Sequence, residues 1–427
     1  MKKRIISAVL LVALAAFCLG VLGSCSNSTV SFFEYSEDDL GLVGKLVHLM
    51  HRWIGNYGWT VVVFTVFLNI LTLPLEFWQR YSSRKSALKM QRIQPLVEAI
   101  DKRYGANTQR ANEEKQKLYK KQGHSMASMC LPMIVMMAIF FVMFGGLRNY
   151  STYSSITSFQ QLSETYYDTY VEQISTDPRT SAAYTAEHQS ALQEAEKAEN
   201  PLLAKIKVQV DIIGDAKKLG SEAEDACVEL EAVALKAVQD RYGEIREGWL
   251  WIQNVWQPDT WATIMQPYEG GAFGGGGFKS SGIDMTGYPG GADVSYNKIR
   301  NAVLETGGYG KHGSWNGLMI LPVLSVGLQF LSMFISQRLE KKNRKGEAAP
   351  QNQQQAASNK MMMIIFPLMM AYFGFIYTGA FAIYMVVRSS LSILTTLALR
   401  VPIEKAVLKR LDKDDDKNNS SKASYMR

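Results

Sequence analysis

Cysteine and histidine are scarce in this chain, with four of the first and five of the second among 427 residues. Cys18, Cys25, Cys130 and Cys227 form no C-x-x-C pair and no cysteine–histidine cluster, which removes the usual donor sets for a metal. Neither G-x-S-x-G nor H-E-x-x-H occurs between residues 150 and 315, where only His188 and His312 are found. A lipoprotein enzyme built on that stretch therefore lacks a nucleophile elbow or a zinc motif. Its acidic residues fit helix faces better than a paired-carboxylate site. No zinc, helix-turn-helix or RNA-binding signature accompanies the basic residues, so no specific nucleic acid sequence is expected as a partner. Carboxylates are nearly absent from the apolar stretches, with Glu76 alone near one and at its inner edge. The expectation is a protein without cofactor or metal, and not an enzyme.

What is present is apolar sequence in blocks. Apolar residues make up 47% of the chain, and several segments carry about 20 nearly uncharged residues, enough to cross a ~30 Å hydrocarbon layer. The net charge of +7 is modest, but Lys and Arg cluster in 2–4, 80–121, 338–360 and 400–427. Those four stretches satisfy the positive-inside bias if all face the cytoplasm. Attraction to anionic lipid and to a ribosome surface accounts for the basic stretches.

Residues 1–25 read as a lipoprotein signal peptide: Lys2, Lys3 and Arg4, an apolar run from Ile5 to Val21, then Leu22-Gly23-Ser24-Cys25. Cys25 is the expected lipidation site, the alternative being an uncleaved signal anchor with an incidental cysteine. Within the extracellular segment 26–58, residues 40–54 form an amphipathic interfacial helix. Leu42, Val43, Leu46, Val47, Met50 and Ile54 lie on one side, with Lys45, His48, His51 and Arg52 on the other. His48 and His51 read as interfacial polar positions.

Five spans follow, at about 59–78, 126–147, 316–336, 361–377 and 380–399. Between the first two lies a basic helical hairpin, 79–124, turning at Gly105-Ala106-Asn107-Thr108. An extracellular loop, 148–315, has a helical part, 181–245, punctuated by Pro201 and Gly220, and a Gly-rich flexible part, 269–291. A Gln-rich cytoplasmic linker, 337–360, joins spans three and four, and a basic, disordered tail fills 400–427. Pro74 and Pro132 set bends or helix starts. The predicted fold is an all-α polytopic membrane protein with a five-helix core. It sits in the cell membrane, its processed N-terminus outside and its C-terminus in the cytoplasm.

Several short motifs occur in one order. They are Gly55-Asn56-Tyr57-Gly58-Trp59 with Leu73-Pro74-Leu75, Met90-Gln91-Arg92-Ile93-Gln94-Pro95 and Gln116-Lys117-Leu118-Tyr119-Lys120. Leu131-Pro132, Trp251-Ile252 with Pro258-Asp259, Ile320-Leu321-Pro322-Val323, Phe366-Pro367 and Tyr384 follow. In these the chain resembles the YidC group of the Oxa1 superfamily of membrane protein insertases, in a Gram-positive-like lipoprotein form. The resemblance covers roughly 40–150, 248–261 and 315–405, and it leaves 151–247 and 262–313 as insertions in the outer loop.

The resemblance implies an activity: moving hydrophobic segments of nascent membrane proteins into the bilayer without nucleotide, alone or beside the Sec translocon. It also implies a hydrophilic groove, open to cytoplasm and lipid, with an Arg in the first core span. Asn69 stands at that position here. Arg388 lies mid-way along the fifth span, and at 1.5 Å per residue it and Asn69 are both roughly 14–15 Å from the outer face. Arg388 is therefore read as supplying the groove charge, the alternative being a local pair for helix packing. Thr65, Asn69 and Thr72 share a helical face and form one groove wall or bond to their own helix. Tyr384 lies one turn before Arg388 on the same face, and Ser389 and Ser392 add to a second wall. Methionines 126, 129, 133, 136 and 137 stripe span two, and 361–363, 369 and 370 enrich span four. They either accommodate clients or face lipid. On the hairpin, Arg84, Lys85, Arg92, Lys120 and Lys121 are the expected contacts to client or ribosome. The competing reading is a polytopic transporter or channel. It predicts intramembrane carboxylates or inverted repeats.

Overall fold

The computed structural model describes residues 30–104, 108–121, 127–261, 263–270, 277–279, 283–305, 315–342, 368 and 372–425. Cys25, the linker 343–360 and most of span four lie outside the described residues, as do the side chains of Arg92, Lys120, Lys121 and the span-two methionines. The chain divides into two compact units. One comprises Met1–Phe64, Val142–Phe330 and Ala348–Val386, and the other Thr65–Phe141, Leu331–Glu347 and Val387–Arg427. The described chain is mostly helical: α1 (Leu42–Ile54), α2 (Tyr57–Tyr104), α3 (Thr108–Lys121), α4 (Ala127–Thr176), α5 (Ala186–Ala195), α6 (Pro201–Lys217), α7 (Ser221–Ile245), α8 (Ala292–Glu305), α9 (Ile320–Lys342) and α10 (Gly379–Tyr425). A short parallel pair of strands, β1 (Val30–Ser31) and β2 (Ile283–Asp284), is the one departure from all-helical structure among the named elements.

Three helices outrun their sequence limits. Span one and the first arm of the hairpin are a single helix, α2, which continues through Pro74 and Pro95, and no glycine follows Gly58 before residue 105. Span two does not end at 147: α4 continues to Thr176. The stretch 148–176 contains neither Gly nor Pro, and its hydroxyls fold back on the helix, as Thr152 does to the Arg148 carbonyl and Ser155 to that of Ser151. The tail predicted to be disordered is helical to Tyr425, with Pro402 inside α10. Ile403 and Val407, one turn apart, bury against Phe77 and Tyr81 of α2, which holds this part of the tail in the second unit.

Among the described residues two helices are long and apolar enough to cross a membrane, Tyr57–Lys85 and Gly379–Arg410, and Ile320–Ser336 is a shorter apolar stretch.

In the first unit the C-terminal half of α4 presents Ile156, Phe159, Leu162, Tyr166, Tyr170 and Ile174 at helical spacing, and all of them bury. Their partners include Phe32, Ile206 and Ile212 of α6, Ala234 and Val238 of α7, and Tyr296 and Ile299 of α8. Burying each such side chain contributes on the order of 1.5–3 kcal/mol. Pro201 stands at the start of α6, capped by the Asn200 side chain on the Leu203 amide, and Gly220 precedes α7 with φ +145. The punctuation read from the sequence is thus where those helices start. Cys227 is buried and free.

Helix α1 covers most of the apolar side read from its sequence, with Leu42 the exception. Val43 and Val47 point inward, while Leu42, Leu49 and Trp53 are exposed, Trp53 at 88%. His48 is engaged on both ring nitrogens. Its Nδ1 lies 2.9 Å from the Tyr150 hydroxyl and its Nε2 3.0 Å from Glu37 Oε1. His51 stacks on Tyr57 at 3.4 Å between ring centroids. A Cβ on Gly146 of α4 would lie 2.4 Å from Val43 Cγ1, so the glycine sets how closely α1 approaches α4.

Replacing Gly146 with Val should destabilise the first unit by about 1–3 kcal/mol, the usual cost of overpacking, in a denaturant titration of the solubilised protein. Glu247, between α7 and α8, accepts hydrogen bonds from the Trp256 indole and, at 3.3 Å, from Ser154. Burial pushes its carboxyl up to about 8. The folded chain then holds a proton that the unfolded chain releases near pH 4.5, so stability falls as pH rises from about 5 to 8. Thermal melts across that range should show the slope, and Glu247→Gln should flatten it.

Candidate functional site

Helix α2 carries Thr65, Asn69, Thr72, Glu76 and Arg80 at steps of three and four residues, which places them on one face. All five belong to the second unit, as do Arg388, Ser392, Thr395 and Thr396 of α10. The two helices meet along this face. Arg388 Nη2 lies 2.5 Å from Glu76 Oε1, and Arg80 Nη2 lies 3.8 Å from Glu76 Oε2. Arg80 also donates to Thr396 Oγ1 at 2.5 Å and to Thr395 Oγ1 at 3.4 Å. Farther along, Arg84 pairs with Glu404 at 3.3 Å. Partners advance in the same direction on both helices, so α2 and α10 run parallel. Phe77, Tyr81, Leu88 and Leu399 pack beside the polar seam on Ile403 and Val407.

Two guanidiniums share one carboxylate here, leaving a local charge of +1. The Glu76 side chain is only 6% exposed, against 23% for Arg388. A carboxylate so enclosed keeps its charge only beside a cation, and an arginine inside a membrane-length helix needs a partner or water. Arg388 Nη1 and Asn69 Nδ2 are buried without a hydrogen-bond partner among the described residues. The cluster thus has donors that its neighbours leave unused.

Thr65 and Asn69 are buried in this unit, while Thr72 bonds back to the Leu68 carbonyl at 2.9 Å. Thr72 is thus committed to its own helix. Ser389 is buried, and the Ser392 carbonyl accepts from Thr395 and Thr396. Tyr384 is buried in the first unit, 6.1 Å from the Phe381 ring. Equal depth for Asn69 and Arg388 does not mean contact, because Arg388 reaches Glu76, two helical turns past Asn69. Counting residues from the span ends ignores tilt and the length of an arginine. Arg84 is tied to Glu404 rather than presented to solvent.

Glu76 and Arg80 are the site residues that sequence reasoning missed. Their i, i+4 spacing, in phase with Asn69, was the available signal.

In the first unit a second set of residues holds the start of α9. Asp259 is fully buried, and its carboxylate accepts the backbone amides of Leu318 at 3.0 Å and Leu321 at 2.8 Å. The Asn316 side chain donates to the carbonyls of Asn254, Gln257 and Pro258. The first amides of α10 are met in the same way: Gly379 donates to the Gln257 carbonyl at 2.7 Å and Ala380 to that of Val255 at 2.8 Å.

Membrane-length helices joined by a buried charged seam define an α-helical membrane protein. A family model described as "60Kd inner membrane protein" matches residues 49–206 and 234–406, and the chain belongs to that family of cell membrane proteins, the family of the YidC insertases. A "Membrane protein insertase YidC" of Caldanaerobacter subterraneus subsp. tengcongensis is 39% identical over 113 residues, 26% of this chain and 53% of that protein. Those of Campylobacter jejuni and Endomicrobium trichonymphae are each 34% identical. They align over 25% and 30% of this chain, and 19% and 21% of their own length. The chain therefore spans about half or less of the length of these relatives. No solved structure matches it significantly. The family match runs through much of the stretches 151–247 and 262–313 that the motifs alone had left as insertions, and between its two parts it omits only 207–233.

Because Glu76 holds Arg388 in a largely enclosed pair, Glu76→Gln should destabilise the solubilised protein by about 2–3 kcal/mol. That lies at or below the lower end for a broken buried pair, since Arg388 is partly exposed. The double variant Glu76→Gln, Arg388→Gln should recover more than half of that loss in the same denaturation assay.

Proposed function

We propose that this chain inserts nascent membrane proteins into the bilayer and assists their folding, with the polar seam of α2 and α10 as the wall of a hydrophilic groove. The observation that carries the reading is the Glu76–Arg388–Arg80 cluster on apolar, membrane-length helices. The difficult step in insertion is carrying a polar, often acidic, flank across hydrocarbon. A residual positive charge with unused donors attracts such a flank part-way, and Glu76 keeps the arginines from binding it irreversibly. No nucleotide or metal takes part in this scheme.

The rest of the arrangement belongs to the same proposal. Cys25 is acylated after signal cleavage, the N-terminal side and 148–315 lie outside, and five spans enclose the groove. The hairpin around α3 and the basic tail lie in the cytoplasm. Nascent chains are the clients, with the ribosome, the Sec translocon and membrane lipid as partners. The exposed Leu42, Leu49 and Trp53 of α1 suit a helix lying on the membrane surface. One observation favours a second reading: a buried carboxylate within a membrane-length helix, as Glu76 is, also marks transporters.

In cells depleted of the native protein, Arg388→Ala at normal abundance should cut insertion of small membrane proteins with acidic flanks by at least severalfold. Asn69→Arg added to it should restore much of that loss. Normal insertion by Arg388→Ala would remove the groove charge from the mechanism. Loss of one solute's flux, with all insertion intact, would favour the transporter.

A further inference from the structure

Residues 249–252 make a tight hairpin in the first unit. The Trp249 amide donates to the Ile252 carbonyl and the Ile252 amide to that of Trp249, both at 2.9 Å. Leu250, at its tip, has φ +52 and is 65% exposed. A branched aliphatic residue is disfavoured in the left-handed region, where glycine would be free of strain. Here the strain presents a leucine to the surroundings. Trp249 lies directly against Gly58 in the first turn of α2, where any Cβ would overlap the indole. Trp59, itself half exposed, meets Trp249 edge-on at 5.6 Å.

Between these groups is an open cleft of about 680 Å³, lined by Asn56, Trp59, Arg246, Trp249, Leu250 and Gln253 among others. Its position follows from α2. The cleft sits at the first turn of Tyr57–Lys85, a helix long and apolar enough to span a membrane, so it falls at the headgroup layer. Arg246 is at its edge and donates to Gln253 Oε1 at 3.0 Å. Trp249 Nε1 is buried without a hydrogen-bond partner among the described residues.

We propose that this cleft binds the headgroup of an anionic phospholipid, with the phosphate on Arg246. Leu250 and Trp59 rest against the glycerol and upper acyl carbons. Guanidinium suits phosphate, and indole rings partition to the membrane interface. A free phosphate would satisfy Arg246 but leave the strained Leu250 and the exposed Trp59 facing water. The neighbouring Glu247 does not cancel Arg246 at neutral pH, because burial keeps its carboxyl largely protonated.

The test uses full-length protein in detergent, offered phosphatidylglycerol or phosphatidylcholine, with retained lipid counted by native mass spectrometry. Wild type should retain phosphatidylglycerol in preference, and Arg246→Gln should reduce that preference about tenfold. Leu250→Gly relieves the backbone strain. It should melt no lower than wild type and yet lose lipid retention at least threefold, which separates binding from folding. Unchanged retention in both variants would overturn the proposal. So would displacement by millimolar inorganic phosphate with no preference between the lipids, which would make the site one for soluble phosphate.

Discussion

Glu76 is shared by two arginines on the facing sides of α2 and α10, and the polar seam of the second unit depends on that sharing. A guanidinium among apolar helices is costly alone, and a carboxylate there more so. Together they fix the rotation of each helix, because only one face of each carries a group that the other can satisfy. The apolar contacts of Phe77 and Tyr81 on Ile403 and Val407 form beside the seam in that same rotation. The cluster still holds an excess positive charge and donors without partners. Stability and availability to an incoming charged group thus arise from one arrangement.

The first unit is held by different physics. Its core is aromatic, with Phe32, Phe159, Phe278, Tyr288 and Tyr296 in mutual ring contact. Such pairs add edge-to-face and offset contacts to the area they bury. Around its rim, side chains and loop carbonyls meet the first amides of the apolar helices. Asp259 and Asn316 hold the entry to α9, and the carbonyls of Val255 and Gln257 receive α10. Helix starts leave amides without intrahelical acceptors, and inside a folded unit those must be met by something. One short stretch, 254–260, does this for two helices.

Much of this was legible in the residues, and the omissions have physical causes. Helix starts at Pro201 and after Gly220 follow from backbone chemistry, which is local. Arg388 stood out because a charge in an apolar run is locally anomalous. Glu76 did not, because it lies near the end of its run, where a carboxylate needs no explanation until its partner is known. Helix α4 was cut short at 147 because its continuation is polar and aromatic, and such a stretch declares itself helical only once its buried face has something to bury against. The same holds for the tail beyond 400. Helical spacing likewise could not say that Tyr150, distant in sequence, and Glu37 close around His48.

By itself the sequence determined the helical character of the chain, its membrane-length apolar runs, its basic clusters and its family motifs. All of these rest on composition, periodicity and neighbours within a turn or two. Tertiary structure alone decided that Arg388 meets Glu76 rather than the level of Asn69, that Asp259 governs α9, and that Trp249 folds onto Gly58. Each of these joins residues far apart in the chain. Their meeting depends on how whole helices pack, which no local spacing encodes.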